Sequence, residues 1–271
     1  MRKGANNLTH RVYHKIVKSG NVTEVYSYEN GVKVGEQMPA CHNVKKDTEE
    51  ITKEERQARD RQNLQRSLSR TIRNLRRSIN ANIGAWGDYF PKFMTLTFKQ
   101  NIKDHTTANK EFMKFIQRLN YKVFKKTSGL KYTCVVERQK RGAIHYHVIF
   151  YNLPYIAFNE LLRVWQHGNE QRGLRINAIK EIDNVGSYVT KYVSKEIQAL
   201  KDGKNGKREK EKKIYFQSRG LVKPIEKETD EKEIKMLLEN LSEKDKIFES
   251  EFENEYVGKI KYTQIREVKK G

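Results

Sequence analysis

The middle of the chain alternates between strand-like and helix-like periods in an order that points to one architecture. Phe93–Phe98 (FMTLTF) follows Pro91 and is β-branched and aromatic, so it reads as a strand. Thr106–Phe124 then places Phe112, Phe115, Ile116, Leu119 and Val123 at helical spacing. Lys131–Glu137 and Ala143–Tyr151 are two strand runs joined by the short loop Arg138–Gly142. Ala157–Trp165 carries Phe158, Leu161, Leu162 and Trp165 on a short helix, Leu174–Ile182 alternates like a strand, and Asp183 or Asn184 caps a helix running to about Leu200. The order β-α-β-β-α-β-α predicts an α+β fold: a ferredoxin-like (RRM/palm-like) core with a central antiparallel sheet flanked by helices.

The flanks read differently. Val12–Val34 alternates weakly and breaks at Ser19-Gly20 and Asn30-Gly31, which predicts one hairpin or two. After a polar stretch (Asn43–Lys53), Leu64, Leu68, Ile72, Leu75 and Ile79 form an apolar stripe on a helix, with Arg66, Arg70, Arg73 and Arg77 on the opposite side. That basic stripe is either a solvated face or a face that tracks phosphates, since each guanidinium is a planar fork matched to phosphate oxygens. Beyond Pro224 the chain holds 13 acidic and 10 basic residues, whereas the whole chain carries +21. The positive charge therefore belongs to the part before Pro224, and it favours a polyanionic partner, nucleic acid ahead of membrane. The tail places Ile234, Leu237, Leu238 and Leu241 at helical spacing and has a strand-like stretch near Tyr256–Ile265, which suits packing or an oligomer contact. The expected organisation is residues 1–88 as hairpin region and basic helix, 89–200 as core, and 201–271 as charged linker and helical extension.

No apolar run approaches the ~18 residues of a membrane span, and the first twenty residues lack the apolar stretch of a signal peptide. Cys41 and Cys134 fit no metal-ligand spacing. These features predict a soluble protein of a reducing compartment.

Two groups of residues carry chemistry. His145 and His147 alternate within one strand and so share a face, where one cation can bridge both. A His-x-His pair by itself is more often structural, but Glu137 ends the preceding strand of the same hairpin and can supply a carboxylate to that face. Its plain alternative is a solvated hairpin residue or a partner of Arg138 or Lys140. Two imidazoles and a carboxylate with open positions suit a divalent cation that also holds a phosphate oxygen. In the last helix, Tyr188, Lys191, Tyr192 and Lys195 fall at i, i+3, i+4 and i+7 and share a face. Tyrosines at this spacing are usually core and lysines usually solvated. Phenols interleaved with ammonium groups instead suit nucleophilic attack on a phosphodiester, because nearby cations favour the ionised phenol. FMTLTF itself reads as a packing strand without chemistry.

In this order, FMTLTF, Arg141–Phe150 (RGAIHYHVIF) and the tandem Tyr-x-x-Lys of Tyr188–Lys195 resemble the three motifs of the HUH endonuclease superfamily, specifically the rolling-circle replication initiator (Rep) proteins of bacterial plasmids and single-stranded DNA phages. The likeness spans roughly Arg56–Pro224 and includes Asn80–Asn82, Trp165 with Gly168, and Ser218-Arg219-Gly220-Leu221. It implies that His145, His147 and Glu137 hold a divalent ion (Mg²⁺ or Mn²⁺), and that Tyr188 and Tyr192 attack single-stranded DNA at a replication origin. The products would be a 5′-phosphotyrosine and a free 3′-OH, with rejoining by the reverse step and no nucleotide cofactor. Lys191 and Lys195 would steady the phosphate or leaving oxygen, and Arg66, Arg70, Arg73, Arg77 and Arg141 would contact the DNA. A host helicase and DNA polymerase would be the partners, in the cytoplasm of a bacterial cell, with no membrane role. A relaxase or transposase shares this chemistry. From another class, a non-catalytic nucleic-acid-binding module on the same core would stack bases on Tyr132 and Tyr146 and use the Arg helix for phosphates.

Overall fold

The computed structural model describes residues 10–35, 52–87, 89–139, 141–168, 173–179, 184–191, 214–240 and 245–267. The chain divides into two compact units, one of Met1–Ser69 with Pro224–Gly271 and the other of Arg70–Lys223.

The first unit is built on an antiparallel hairpin, β1 (His10–Ser19) with β2 (Val22–Val34). Gly20, at φ +64°, makes the tight turn. Asn30-Gly31 is not a second turn. The register jumps from Val12↔Val32 to His14↔Ser27, so the extra residues of β2 bulge opposite Tyr13. Gly31, also at φ +64°, lets the backbone make that bulge while the Tyr13 ring closes over it. Three strands from beyond Pro224, β8 (Ile225–Thr229), β9 (Lys246–Asn254) and β10 (Gly258–Arg266), complete a five-stranded sheet in the order β8-β1-β2-β10-β9. Within the acidic tail, β10 meets the strand expected near Tyr256–Ile265, whereas β8 and β9 have no counterpart in the sequence pattern. The tail's helix, α5 (Glu231–Glu239), is capped by Asp230 and packs Ile234, Leu237 and Leu238 against Ile16, Val25 and Ile265. Leu241 lies outside the described residues.

The long helix α1 (Lys53–Asn82) begins with a capping box: Thr52 Oγ1 accepts from Glu55 N–H at 3.2 Å, and the Glu55 carboxylate accepts from Thr52 N–H at 2.9 Å.

The second unit contains β3 (Lys92–Thr97), α2 (His105–Phe124), β4 (Tyr132–Arg138), β5 (Ile144–Phe150), α3 (Phe158–Trp165), β6 (Leu174–Ala178), α4 (185–191) and β7 (Tyr215–Gln217). The sheet order is β6-β3-β5-β4-β7, and every pairing is antiparallel. The expected α+β, ferredoxin-like core is what forms, with β7 as an added edge strand. One sheet face carries Met94, Leu96, Cys134, Val136, Val148 and Phe150, which pack with Phe112, Phe115 and Leu119 of α2 and with Leu161 and Trp165 of α3. Period-2 strands and period-3.6 helices thus bury a common apolar cluster. Trp165 is fully buried, and its Nε1–H donates to Thr97 O at 3.0 Å, tying α3 to the end of β3. With helices covering that face, the opposite face is left for polar side chains.

Candidate active site

On that opposite face, strand register decides which side chains meet. Thr95 of β3 pairs with His147 of β5, which pairs with Val135 of β4; Thr97 pairs with His145, which pairs with Glu137. Directly paired residues project to one side of a sheet. Thr95, Thr97, His145, His147 and Glu137 therefore form one polar cluster, as the His-x-His spacing requires. Both imidazoles are buried, His145 at 6% exposure and His147 at 5%.

The two rings are held by neighbouring hydroxyls. Thr95 Oγ1 lies 3.2 Å from His147 Nδ1, and Thr97 Oγ1 lies 3.5 Å from His145 Nδ1. Each threonine thus fixes a ring at Nδ1 and leaves Nε2 for other work. Glu137 reaches the same cluster: its carboxylate lies 2.6 Å from His147 Nε2, so it is neither solvated nor committed to Arg138. Lys140 lies outside the described residues. His145 Nε2 is buried and has no hydrogen-bond partner. A buried nitrogen without a partner costs about 1–3 kcal/mol and calls for a reason. Burial pushes the His145 imidazole down to about 4, with His147 and Arg141 acting in the same direction and Glu137 against it. His145 is therefore neutral near pH 7, the form that coordinates a metal.

Among the described residues no three His, Cys, Asp or Glu side chains are already arranged around a metal position. The reason is visible in the hydrogen bonding, because Glu137 and His147 satisfy each other. The donor set still fits a divalent cation, which would take the unpartnered His145 Nε2 and replace the hydrogen bond between Glu137 and His147.

Tyr188 enters the cluster from α4 through Phe93. The Phe93 ring stacks parallel to His147, at 5.8 Å and 7°, and meets Tyr188 edge-on at 5.7 Å and 75°. Phe93 is buried, whereas Tyr188 is 39% exposed and so open to a substrate. Lys191 Nζ stands 6.0 Å from the centre of the Tyr188 ring, one helical turn on. Tyr192 and Lys195 lie outside the described residues.

The position of Tyr188 depends on the start of α4. Asn184 is the cap, its Oδ1 accepting from Ser187 N–H at 2.9 Å. Asn80 of α1 holds that cap from outside: its Nδ2–H donates to Asn184 Oδ1 at 3.0 Å, and its Oδ1 accepts from Gly186 N–H at 2.8 Å. Gly186 is required by the close approach, since a Cβ there would lie 2.3 Å from the Arg76 carbonyl oxygen and 2.8 Å from Asn80 Oδ1. Val185 and Val189 are buried and anchor the opposite side of the helix.

The arginines expected to contact DNA separate into two classes. Arg66, Arg70, Arg73 and Arg141 are exposed, and Arg141 Nε–H donates to Gln139 Oε1 at 2.9 Å. Arg77 is buried at 7% exposure and is not part of an open basic face. The last turns of α1 are enclosed on more than one side, with Ile79, Asn80, Ala81 and Asn82 all buried and Asn82 bonded to the backbone of Val222. The helical stripe is right in spacing but runs past the point where the helix leaves solvent.

Tyr132 and Tyr146, the stacking residues of the non-catalytic alternative, belong to the core. Tyr146 is fully buried, stacks on Phe112 at 4.7 Å and donates its hydroxyl to Asn109 Oδ1 at 2.6 Å. Burial pushes the Tyr132 phenol up to about 12 and moves that of Tyr146 in the same direction. Neither ring can receive a base. Conversely, Phe93, Thr95 and Thr97 take part in the cluster although the pattern of FMTLTF predicts packing alone. The available signal is two hydroxyls two residues apart in an otherwise apolar central strand.

Residues 91–197 match the family model of the replication-associated protein ORF2. The matched stretch runs from the residue before β3 through α4, so it contains the whole histidine–tyrosine cluster and supports a Rep-like protein. No curated protein and no solved structure matches the chain.

Proposed function

We propose that the unit Arg70–Lys223 is a nickase and ligase of the HUH type that initiates rolling-circle replication, with Tyr188 as a nucleophile. The observation that carries this reading is the placement of a half-exposed tyrosine across one aromatic ring from a buried His-x-His pair, within the stretch that resembles a replication-associated protein. The oxygen of Tyr188 attacks the phosphorus of a single-stranded DNA phosphodiester. The bond from phosphorus to Oη forms as the bond to the 3′-oxygen breaks, and the proton lost by the phenol is balanced by one gained at the leaving 3′-oxygen. The product is a 5′-phosphotyrosine and a 3′-OH, and the same exchange run backwards reseals the strand without an external energy source.

A divalent ion held by His145, His147 and Glu137 would supply Lewis-acid polarisation of the non-bridging phosphate oxygens. The chain's own part is orientation. Thr95 serves His147 in either tautomer, because a hydroxyl both donates and accepts. With Nε2–H given to Glu137, the Thr95 hydroxyl donates to Nδ1; with Nε2 left as a lone pair, Nδ1 carries the proton and Thr95 Oγ1 accepts it. Phe93 keeps Tyr188 and His147 at a fixed separation, and the Lys191 ammonium favours the phenolate that develops during attack. Tyr192 is the second candidate nucleophile from the sequence, for transfer of the strand at the end of a cycle.

The test is adduct formation. Protein, Mn²⁺ and labelled single-stranded DNA from its own replicon should give a labelled band at protein mass on a denaturing gel, abolished by EDTA. Salt-sensitive binding without any covalent band on cognate DNA would replace the nickase with a binding module.

A further inference from the structure

The strand register carries the polar face one strand beyond the cluster already described. Thr95 has His147 on one side and Arg175 on the other, and Phe93 has Ile149 on one side and Asn177 on the other. Arg175 and Asn177 therefore project to the face that bears the histidines, while Leu174 and Ile176 turn to the core. Both Arg175 and Asn177 are exposed. β6 is an edge of the sheet, so an extended strand of another molecule can lie along it. With strands spaced ~4.8 Å apart, the Arg175 backbone stands roughly 10 Å from that of His147. A fully extended arginine covers much of that distance.

Two further cations border the same face. Arg141 stands at the β4–β5 hairpin, close enough to act on the His145 imidazole, and Lys191 stands beside Tyr188. Arg175 lies on the remaining side, by the edge strand. A polyanionic strand crossing the histidines and the tyrosine would thus meet positive charge at the hairpin, at the helix and at the sheet edge.

We infer that Arg175 is a phosphate clamp for single-stranded DNA, its guanidinium holding a phosphodiester that flanks the one lying over His145 and His147. The inference rests on the proposed nickase reading for the identity of the strand, but the clamp itself is a binding function and is measured without catalysis. A guanidinium suits the role because its planar fork pairs with two oxygens of one phosphate and stays charged at every working pH. Asn177, two residues on, offers an amide to the same strand beneath Tyr188.

The experiment measures binding of fluorescent oligo(dT) in EDTA at several salt concentrations, for the full chain and its variants. Arg175→Ala should bind about tenfold more weakly at low salt. It should also lower the slope of log affinity against log salt by about 0.7, the loss of one phosphate contact on a single strand. Arg175→Lys should recover the slope but not the full affinity. Arg163→Ala removes the same charge from α3, which covers the other face of the sheet, and should leave the slope at the wild-type value. An unchanged slope in Arg175→Ala, or an equal loss in Arg163→Ala, overturns the clamp. The covalent assay with wild-type protein reads the nickase separately. A lost slope without any wild-type adduct keeps the clamp and removes the nickase, and an adduct with an unchanged slope does the reverse.

Discussion

Replacing Thr95 with valine removes one hydroxyl and keeps the shape of the side chain. Its Oγ1 lies 3.2 Å from His147 Nδ1, and the ring is buried, so water cannot substitute for the lost partner. A hydrogen bond to the far nitrogen of a metal-binding imidazole is worth 10- to 100-fold in metal affinity, or about 1.4–2.7 kcal/mol. We therefore expect the Mn²⁺ dissociation constant of Thr95→Val, measured by calorimetry, to rise by that factor. In EDTA the unpartnered Nδ1 should cost about 1–3 kcal/mol of unfolding free energy in urea. Thr97→Val provides the internal comparison. Its contact with His145 is longer, at 3.5 Å, so its penalty should be the smaller of the two. A Thr95→Val protein that is folded and binds Mn²⁺ within twofold of wild type would refute the orienting role of the hydroxyl. So would a larger penalty in Thr97→Val.

Three other outcomes follow from the geometry. Tyr188→Phe should remove or sharply reduce the covalent adduct at an unchanged melting temperature, because the side chain is 39% exposed and its ring contact with Phe93 survives; an undiminished adduct would exclude this residue as a nucleophile. Gly186→Ala must push the start of α4 away from the Arg76 carbonyl, which should cost on the order of 1–3 kcal/mol and lower the adduct rate; wild-type stability would contradict the close approach. His145 has an imidazole lowered from 6.5 to about 4, so in EDTA the unfolded chain binds its proton first as pH falls. Stability from the neutral ring is complete above pH 6.5 and is lost between there and about pH 4, by up to ~3 kcal/mol. Urea unfolding from pH 7 to 4 should therefore be steeper for wild type than for His145→Gln, and parallel curves would refute the burial argument.

The ferredoxin-like core is legible because its elements obey their periods: FMTLTF and IHYHVIF alternate, and Thr106–Phe124 repeats at helical spacing over the same cluster. β7 is not, since it has only three residues, and its place is set by pairing with Thr133–Val135 rather than by its own pattern. β9 is hidden for a different reason. Glu249, Glu251 and Glu253 alternate with Phe248, Ser250 and Phe252, so a solvated strand face looks like a charged linker. In the site, His145, His147, Glu137 and Tyr188 are legible from spacing, and the structure brings them to one face. The roles of Phe93, Thr95 and Thr97 are not, because they follow from which residue stands opposite which on a neighbouring strand. The burial of Arg77 is equally invisible, since helical spacing fixes a side of the helix but not where along its length solvent ends.

The most direct measurement is to find the amino acid that carries the DNA. Trypsin cuts after Lys180, Lys191 and Lys195, so Tyr188 lies in the peptide Glu181–Lys191 and Tyr192 in Tyr192–Lys195. An adduct trimmed with nuclease, digested and analysed by mass spectrometry should show the nucleotide mass on Glu181–Lys191, linked through phosphate to Tyr188. A nucleotide mass on any peptide lacking both tyrosines, or no linked peptide from cognate DNA with Mn²⁺ present, would contradict a tyrosine nickase built on this face.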